Sequence, residues 1–266
     1  MKFSFPLPTE WSERGICEFL QFRKSEDKHF ECKAFLNFDW KLKCDAEGYG
    51  LKALADKPFH SDKPAKSFLA YRVIESIIAF ANADGGLLFL GVAEPRTDLP
   101  PIPSIPIMSS SRGMNFLITG IEADGIGCTD GEVNEDEYKR KLQDIIFPQP
   151  QKPQEFIEKR LVNGQISTLK RSIKFPVAYR KDLIEDVRLI PFFSGSCQQK
   201  TIAILIIKSS PEPVVIEEFI EGHPNYLVEK LFKRLAFNNT DTYMGKELRR
   251  YLDDLRTGRK MIPPVK

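Results

Sequence analysis

The clearest pattern in the chain is a change of hydrophobic period between Tyr71 and Val92. Tyr71, Ile74, Ile77, Ile78 and Ala81 recur at helical spacing and make one apolar stripe. From Leu87 to Val92 the residues are almost wholly apolar, the pattern of a short strand buried on both faces. Asn82, Asp84, Gly85 and Gly86 lie between them. Asn and Gly accept the left-handed backbone that ends a helix, so the stretch predicts a long helix, a tight glycine turn and a core strand. Asp62 and Pro64 suit the helix start, because proline gives up no hydrogen bond in a first turn.

The rest of the chain is read around this unit. A short helix is expected from Thr9, with Trp11, Ile16, Phe19 and Leu20 as its apolar side. Phe30, Cys32 and Ala34 then alternate with Glu31, Lys33 and Phe35, which predicts a half-buried strand with its charges on one face. After Val92 comes PRTDLPPIPSIPIMSSSRGMN, too rich in Pro and Ser for helix or central strand, and expected to be a long surface loop. A strand and turn resume over Phe116 to Gly125. A helix follows near Asn134 to Ile146, with Tyr138, Leu142, Ile145 and Ile146 on one face and PQPQKP as its stop. VRLIPFF and TIAILIIKSS read as strands joined by a turn at Ser194-Gly195-Ser196, and VVIEEFI and NYLVEKLFKRL as weaker strands. Met244, Leu248, Tyr251, Leu252 and Leu255 predict a last helix after a Thr240-Asp241 cap, with Lys246, Arg249, Arg250 and Arg256 on its other face. The expected class is α+β: a mixed sheet with the central and C-terminal helices packed on it. No repeat or linker divides the chain, so residues 1–266 read as a single domain with an N-terminal extension (1–25) and a Pro-rich insertion (95–115).

Composition narrows the function. A net charge of +2 does not coat nucleic acid by bulk charge, so any such binding must use local patches. The five cysteines form no CxxC pair, which favours reduced thiols and a cytoplasmic protein. The N-terminus carries no apolar secretory core and no run reaches bilayer length, so no membrane partner is expected. There is no GxxxxGK[ST] loop. His29, His60 and His223 lack partners at zinc-ligand spacing, and Ser110, Ser111 and Arg112 show no paired base for a nucleophile triad.

The sequence AFANADGGLLFLGV resembles the central motif of the Schlafen AlbA_2 family, described as a putative DNA-binding domain and earlier as a divergent AAA domain. The family's upstream glutamate–aromatic–lysine triplet is matched by Glu31-Cys32-Lys33, with Cys in the aromatic's place. Its later strand, proline, tyrosine segment and arginine are matched by IAILIIKSSPEP, HPNYL and Lys233-Arg234, so the resemblance runs from about Glu26 to Leu248.

The resemblance implies a site. Ribonuclease members of the family cut with three carboxylates, and Glu26, Glu31 and Glu94 stand at the matching places, with Glu94 where those members carry Asp. Clustered carboxylates bind Mg²⁺ or Mn²⁺, which stabilises charge building on a phosphate. On this reading the three glutamates converge within reach of one ion. A spacing of five faces opposite ways on a strand, so the chain must then bend between Glu26 and Glu31. The plain alternative is three surface glutamates, with Glu31 paired to a lysine. Lys33 either holds a phosphate or carboxylate, or faces water as an ordinary strand lysine. Lys230, Lys233, Arg234, Lys246, Arg249, Arg250, Arg256, Arg259 and Lys260 make a basic set suited to a phosphate backbone or simply to solvation, and Lys170, Arg171 and Lys174 make a weaker one. The expected function is binding of RNA or DNA, with metal-dependent cleavage of structured RNA as its enzymatic extension. The rival is a protein-interaction or regulatory module with the Pro-rich loop as its contact arm.

Overall fold

The computed structural model describes residues 5–21, 26–34, 66–94, 105–109, 113–124, 126–129, 132–147, 152–162, 165–193, 199–220, 223–234 and 240–257. The protein is mixed α+β. Its central helix, α2 (Phe68–Ala81), touches strands of two different sheets and is buried nearly all round over Leu69–Ala81, with Arg72 exposed. The predicted stripe is therefore only part of its apolar surface: Ala70, Val73, Ala79 and Phe80 are buried as well.

The first sheet has four strands: β1 (Phe30–Lys33), β3 (Gly86–Leu90), β12 (Gln199–Ile207) and β11 (Ile184–Phe193), in that order. β1 runs parallel to β3, and the other pairs are antiparallel. Every residue of β3 is buried, as its unbroken apolar run predicts. Leu88, Leu90, Ala203, Leu205 and Ile207 pack with the α2 residues. Leu87, Phe89, Ile202, Ile204 and Ile206 pack on the opposite side, with Ile16 and Leu20 of helix α1 (Glu13–Gln21). That side also holds a three-stranded sheet of β4 (Val92–Ala93), β6 (Gly113–Ile118) and β5 (Ile105–Ser109). β5 corrects the reading of 95–115 as one long loop. It is an edge strand of that sheet, where proline is tolerated, and Ile107 is buried in the core. Residues 113–115 open β6, and the rest of the Pro-rich stretch, 95–104 and 110–112 with Ser110, Ser111 and Arg112, lies outside the described residues, as do the 194–198 turn, Asp62, Pro64, His60, Arg259 and Lys260.

The second sheet has six strands in the order β15 (Thr240–Met244), β14 (His223–Arg234), β13 (Val215–Ile220), β10 (Gln165–Lys174), β9 (Pro153–Val162) and β2 (Lys66–Ser67). The long β9–β10 pair, with Val162 opposite Gln165, is absent from the sequence reading. Helix α3 (Glu135–Ile146) forms where expected, capped by the Asn134 side chain, which accepts from the Glu137 N–H at 3.0 Å. Helix α4 (Gly245–Thr257) begins later than expected. Thr240 and Asp241 are strand residues rather than a cap, Met244 is exposed, and Leu248 and Tyr251 pack on Leu231 and Tyr243. A short β7–β8 ladder (Cys128–Thr129 and Glu132–Val133) completes the described strands.

Among the described residues, side-chain hydrogen bonds tie α2 and the first sheet to the second sheet. At the end of α2 the Asn82 amide donates to the Val214 and Phe232 carbonyls at 3.0 and 2.8 Å and accepts from the Val214 N–H at 2.8 Å. A further link is Arg234, which belongs to the candidate site.

Candidate functional site

The bend required between Glu26 and Glu31 exists and has a local cause. Asp27 and Phe30 exchange backbone hydrogen bonds of 3.0 and 3.3 Å, and the Asp27 carboxylate accepts from the His29 N–H at 2.8 Å. This side-chain-closed turn folds Glu26 back along β1, where its Oε1 accepts from the Cys32 N–H at 2.7 Å. Glu94 arrives from the other direction. At Gly91, whose φ is +81°, the chain leaves the first sheet, and Val92–Ala93 pair instead with β6. Glu94 then emerges beside Glu26, whose backbone N–H donates to Glu94 Oε1 at 3.1 Å. The glycine that re-aims the strand is thus Gly91, downstream of the Gly85-Gly86 turn.

Glu31 sits opposite Leu88 in the β1–β3 register, and it is buried rather than on a solvated strand face. One of its oxygens accepts from Lys33 Nζ, two residues on and therefore on the same side of the strand. The other accepts from Arg234 Nη1 at 2.9 Å. Arg234 Nη2 stands 3.9 Å from Glu26 Oε2. Glu26 and Glu31 come together with Lys33 at the junction of the two sheets, while Glu94 reaches the backbone of Glu26. Glu26 and Glu31 meet there around a guanidinium. Among the described residues no three His, Cys, Asp or Glu side chains are grouped so as to hold one metal ion.

The donor set therefore does not fit Mg²⁺ or Mn²⁺ as it stands. Hard cations of this kind need several carboxylate or carbonyl oxygens at about 2.0–2.6 Å. Here both oxygens of Glu31 accept from cationic side chains, and Glu26 and Glu94 each accept from a backbone N–H.

Burial shifts the carboxyl groups of Glu26 and Glu75. Burial and the neighbouring Glu31 carboxylate raise the Glu26 pKa; Lys33 and the Cys32 N–H oppose them, and Glu94 adds to the rise. Glu75 on α2 belongs to the same neighbourhood and was not singled out by the sequence. Its pKa is raised by burial against the pull of Arg72, to which it bonds at 2.7 Å, and of Lys33 and Lys230. The Cys32 thiol is pushed well up by burial and then by the three glutamates, so it is not a nucleophile.

A pH prediction follows. A raised carboxyl pKa means that the folded state disfavours the charged form. Its contribution to stability is fully present below the ordinary value of 4.5 and is lost as pH rises through the higher folded value. Glu26→Gln keeps the Oε1 that accepts from Cys32 and removes the charge. Its melting temperature should exceed that of the wild type at pH 7 and converge with it in acid. A variant less stable at pH 7 would mean that Arg234 holds Glu26 as firmly as it holds Glu31.

The expected nucleic-acid contacts fall into three groups. Lys246, Arg249 and Arg250 are exposed on α4, on the side away from Leu248 and Tyr251. Lys233 is half-buried, its Nζ 3.1 Å from Tyr251 Oη and 5.2 Å from that ring's centre. Arg234 is a correction: its side chain is 3% exposed and turned into the glutamate cluster, so it offers nothing to a phosphate at the surface. Of the weaker set, Arg171 and Lys174 pair with Glu218 and Glu217 at 2.8 Å, and Lys170 is exposed. His29 is an ordinary core histidine, stacked on Phe5 with Nδ1 3.2 Å from the Gly85 carbonyl.

Among the described residues no helix is long and apolar enough to cross a membrane. A scan against protein-family models, a search of curated proteins and a search of solved structures each find no match to this chain.

Proposed function

We propose that this chain is a nucleic-acid-binding protein of the Schlafen AlbA_2 kind. The observation that supports this most is the closeness of Glu26, Glu31 and Lys33, with Glu94 bonded to the Glu26 backbone. Neither composition nor hydrophobic period singles these residues out; the resemblance alone assigned them to one site. The contact surface is the outer face of α4, where Lys246, Arg249 and Arg250 are exposed. Phosphate contacts release counterions, so affinity for RNA or DNA should fall steeply as salt rises, by a slope of about 0.9 per contact. Arg249→Glu combined with Arg250→Glu should weaken binding and flatten that slope by about two contacts' worth. Both side chains lie off the buried face, so the melting temperature should hold. Unchanged affinity at low salt would place binding elsewhere or remove it.

Metal-dependent cleavage of structured RNA is the second reading; it comes from the resemblance, and the closeness of Glu26 and Glu31 favours it while the Arg234 contacts oppose it. Incubating structured RNA with the protein, with and without Mg²⁺ or Mn²⁺, tests it directly. No cutting together with salt-sensitive binding leaves a binder. Neither activity leaves the protein-interaction module.

A further inference from the structure

The misfit between the glutamate cluster and a metal ion has a specific structural origin in Arg234. This residue comes from the far end of β14, in the second sheet, and reaches the edge of the first. A guanidinium carries five N–H donors in a planar fork. Nε donates to the Asp27 carbonyl at 3.2 Å. Nη1 donates to Glu31 Oε2 at 2.9 Å and to Thr240 Oγ1 at 3.4 Å. Nη2 donates to the Phe30 carbonyl at 3.4 Å and faces Glu26 Oε2 at 3.9 Å. The flat group lies 5.4 Å above the centre of the Phe80 ring on α2. Surface arginines that pair by chance are not held on every side in this way, and this one is almost wholly shielded from water.

We propose that Arg234 is the resident cation of this cluster: it holds the position between the carboxylates that a divalent ion would need, and the cluster ties the two sheets together instead of binding metal. The physical basis is exclusion. An ion ligated by Glu31 and Glu26 would have to sit against a fixed positive charge already bonded to Glu31, in surroundings too dry to screen the repulsion. Lys33 supplies the second positive charge, on the other Glu31 oxygen. Arginine suits the role because its fork meets carboxylates and carbonyls together and it does not lose its proton. This inference stands whether or not the protein binds nucleic acid.

The test is Mn²⁺ titration of the full chain by calorimetry, paired with melting curves in chelator and in Mn²⁺. The wild type should take up no stoichiometric Mn²⁺, and its melting temperature should not move. Arg234→Met keeps the length of the side chain and removes its charge. That variant should melt lower in chelator, bind one Mn²⁺ per chain and recover stability when Mn²⁺ is added. Arg234→Lys restores the charge without the fork; it should melt lower and still take no Mn²⁺. A wild type that binds one Mn²⁺, lost in Glu94→Gln, overturns the proposal. So does a folded Arg234→Met that binds no more Mn²⁺ than the wild type. If Arg234→Met does not fold, the wild-type and Glu94→Gln titrations decide alone: no uptake by the wild type sustains the proposal. RNA and DNA binding, measured in chelator, reports on the nucleic-acid reading separately.

Discussion

Gly86→Val should unfold much of the molecule's stability. A Cβ at Gly86 would lie 2.5 Å from Phe80 Cε1 and 2.9 Å from the His29 carbonyl oxygen. Neither neighbour can give way. Phe80 is fully buried in α2, between the sheets, and its ring carries the Arg234 guanidinium. The His29 carbonyl accepts the Leu87 N–H at 2.8 Å, one of the bonds that start the parallel β1–β3 pairing. Ordinary overpacking costs about 1–3 kcal/mol, and a backbone that cannot shift puts this case at the top of that range or above it. In a chain of this size such a loss lowers the melting temperature by roughly 6–12 °C. A melting temperature within a degree or two of the wild type would mean that helix and strand are not held this close. The cause differs from the one the sequence implies. The left-handed residue of the turn is Gly85, at φ +83°, while Gly86 is required because ring and carbonyl leave no space for a side chain.

That distinction shows how far a sequence carries the fold. The helix–turn–strand unit was legible because its signals are local: a 3.6-residue period, paired glycines and a six-residue apolar run. The β9–β10 pair carried a local signal too, the Asn163-Gly164 dipeptide, a sequence common in short hairpin connections. Charged residues on either side hid it, because the strands mix Glu, Lys and Arg with their apolar positions. β15 was hidden differently. Met244 falls at helical spacing with Leu248 and Tyr251, so strand and helix share one apparent period until Gly245 breaks it.

The closeness of Glu26 to Glu31 was legible through the resemblance, and the guanidinium between them was not. The resemblance supplied three glutamates and a lysine; the turn at Asp27 brings Glu26 back along β1, and the switch at Gly91 brings Glu94 to the Glu26 backbone. Nothing in the sequence reveals that β14 ends where β1 begins. Lys233 and Arg234 are neighbours in a basic run, and alternation along β14 sends one to the α4 side and the other into the cluster. Base rates place an arginine at the surface, and only the stacking of the two sheets assigns this one to the interior.

Glu31→Gln is the sharpest way to separate a structural from a chemical role for the cluster. In a metal site this change removes a ligand and leaves the fold alone. Here it should destabilise the protein by about 3–5 kcal/mol, the usual result of leaving one member of a buried ion pair without its partner. The remaining member is Arg234, 3% exposed, with its next carboxylate contact 3.9 Å away at Glu26. An amide can still accept one hydrogen bond through its oxygen, but its NH₂ must then face either Lys33 or Arg234, donor against donor. The contrast with Glu26→Gln is the decisive feature. Two glutamates five positions apart, changed in the same way, should shift stability at pH 7 in opposite directions, because one holds a buried cation at close range and the other has its charged form disfavoured by burial and by Glu31. Urea denaturation of both variants reads this directly. If Glu31→Gln unfolds at the wild-type midpoint, Arg234 does not depend on Glu31, and the ion-pair account of the cluster is wrong. If it unfolds early, a loss of RNA cutting in that variant reports on folding and not on catalysis. The cleavage test then belongs to Glu94→Gln, because the described contact there is a single backbone N–H, which the amide oxygen can still accept.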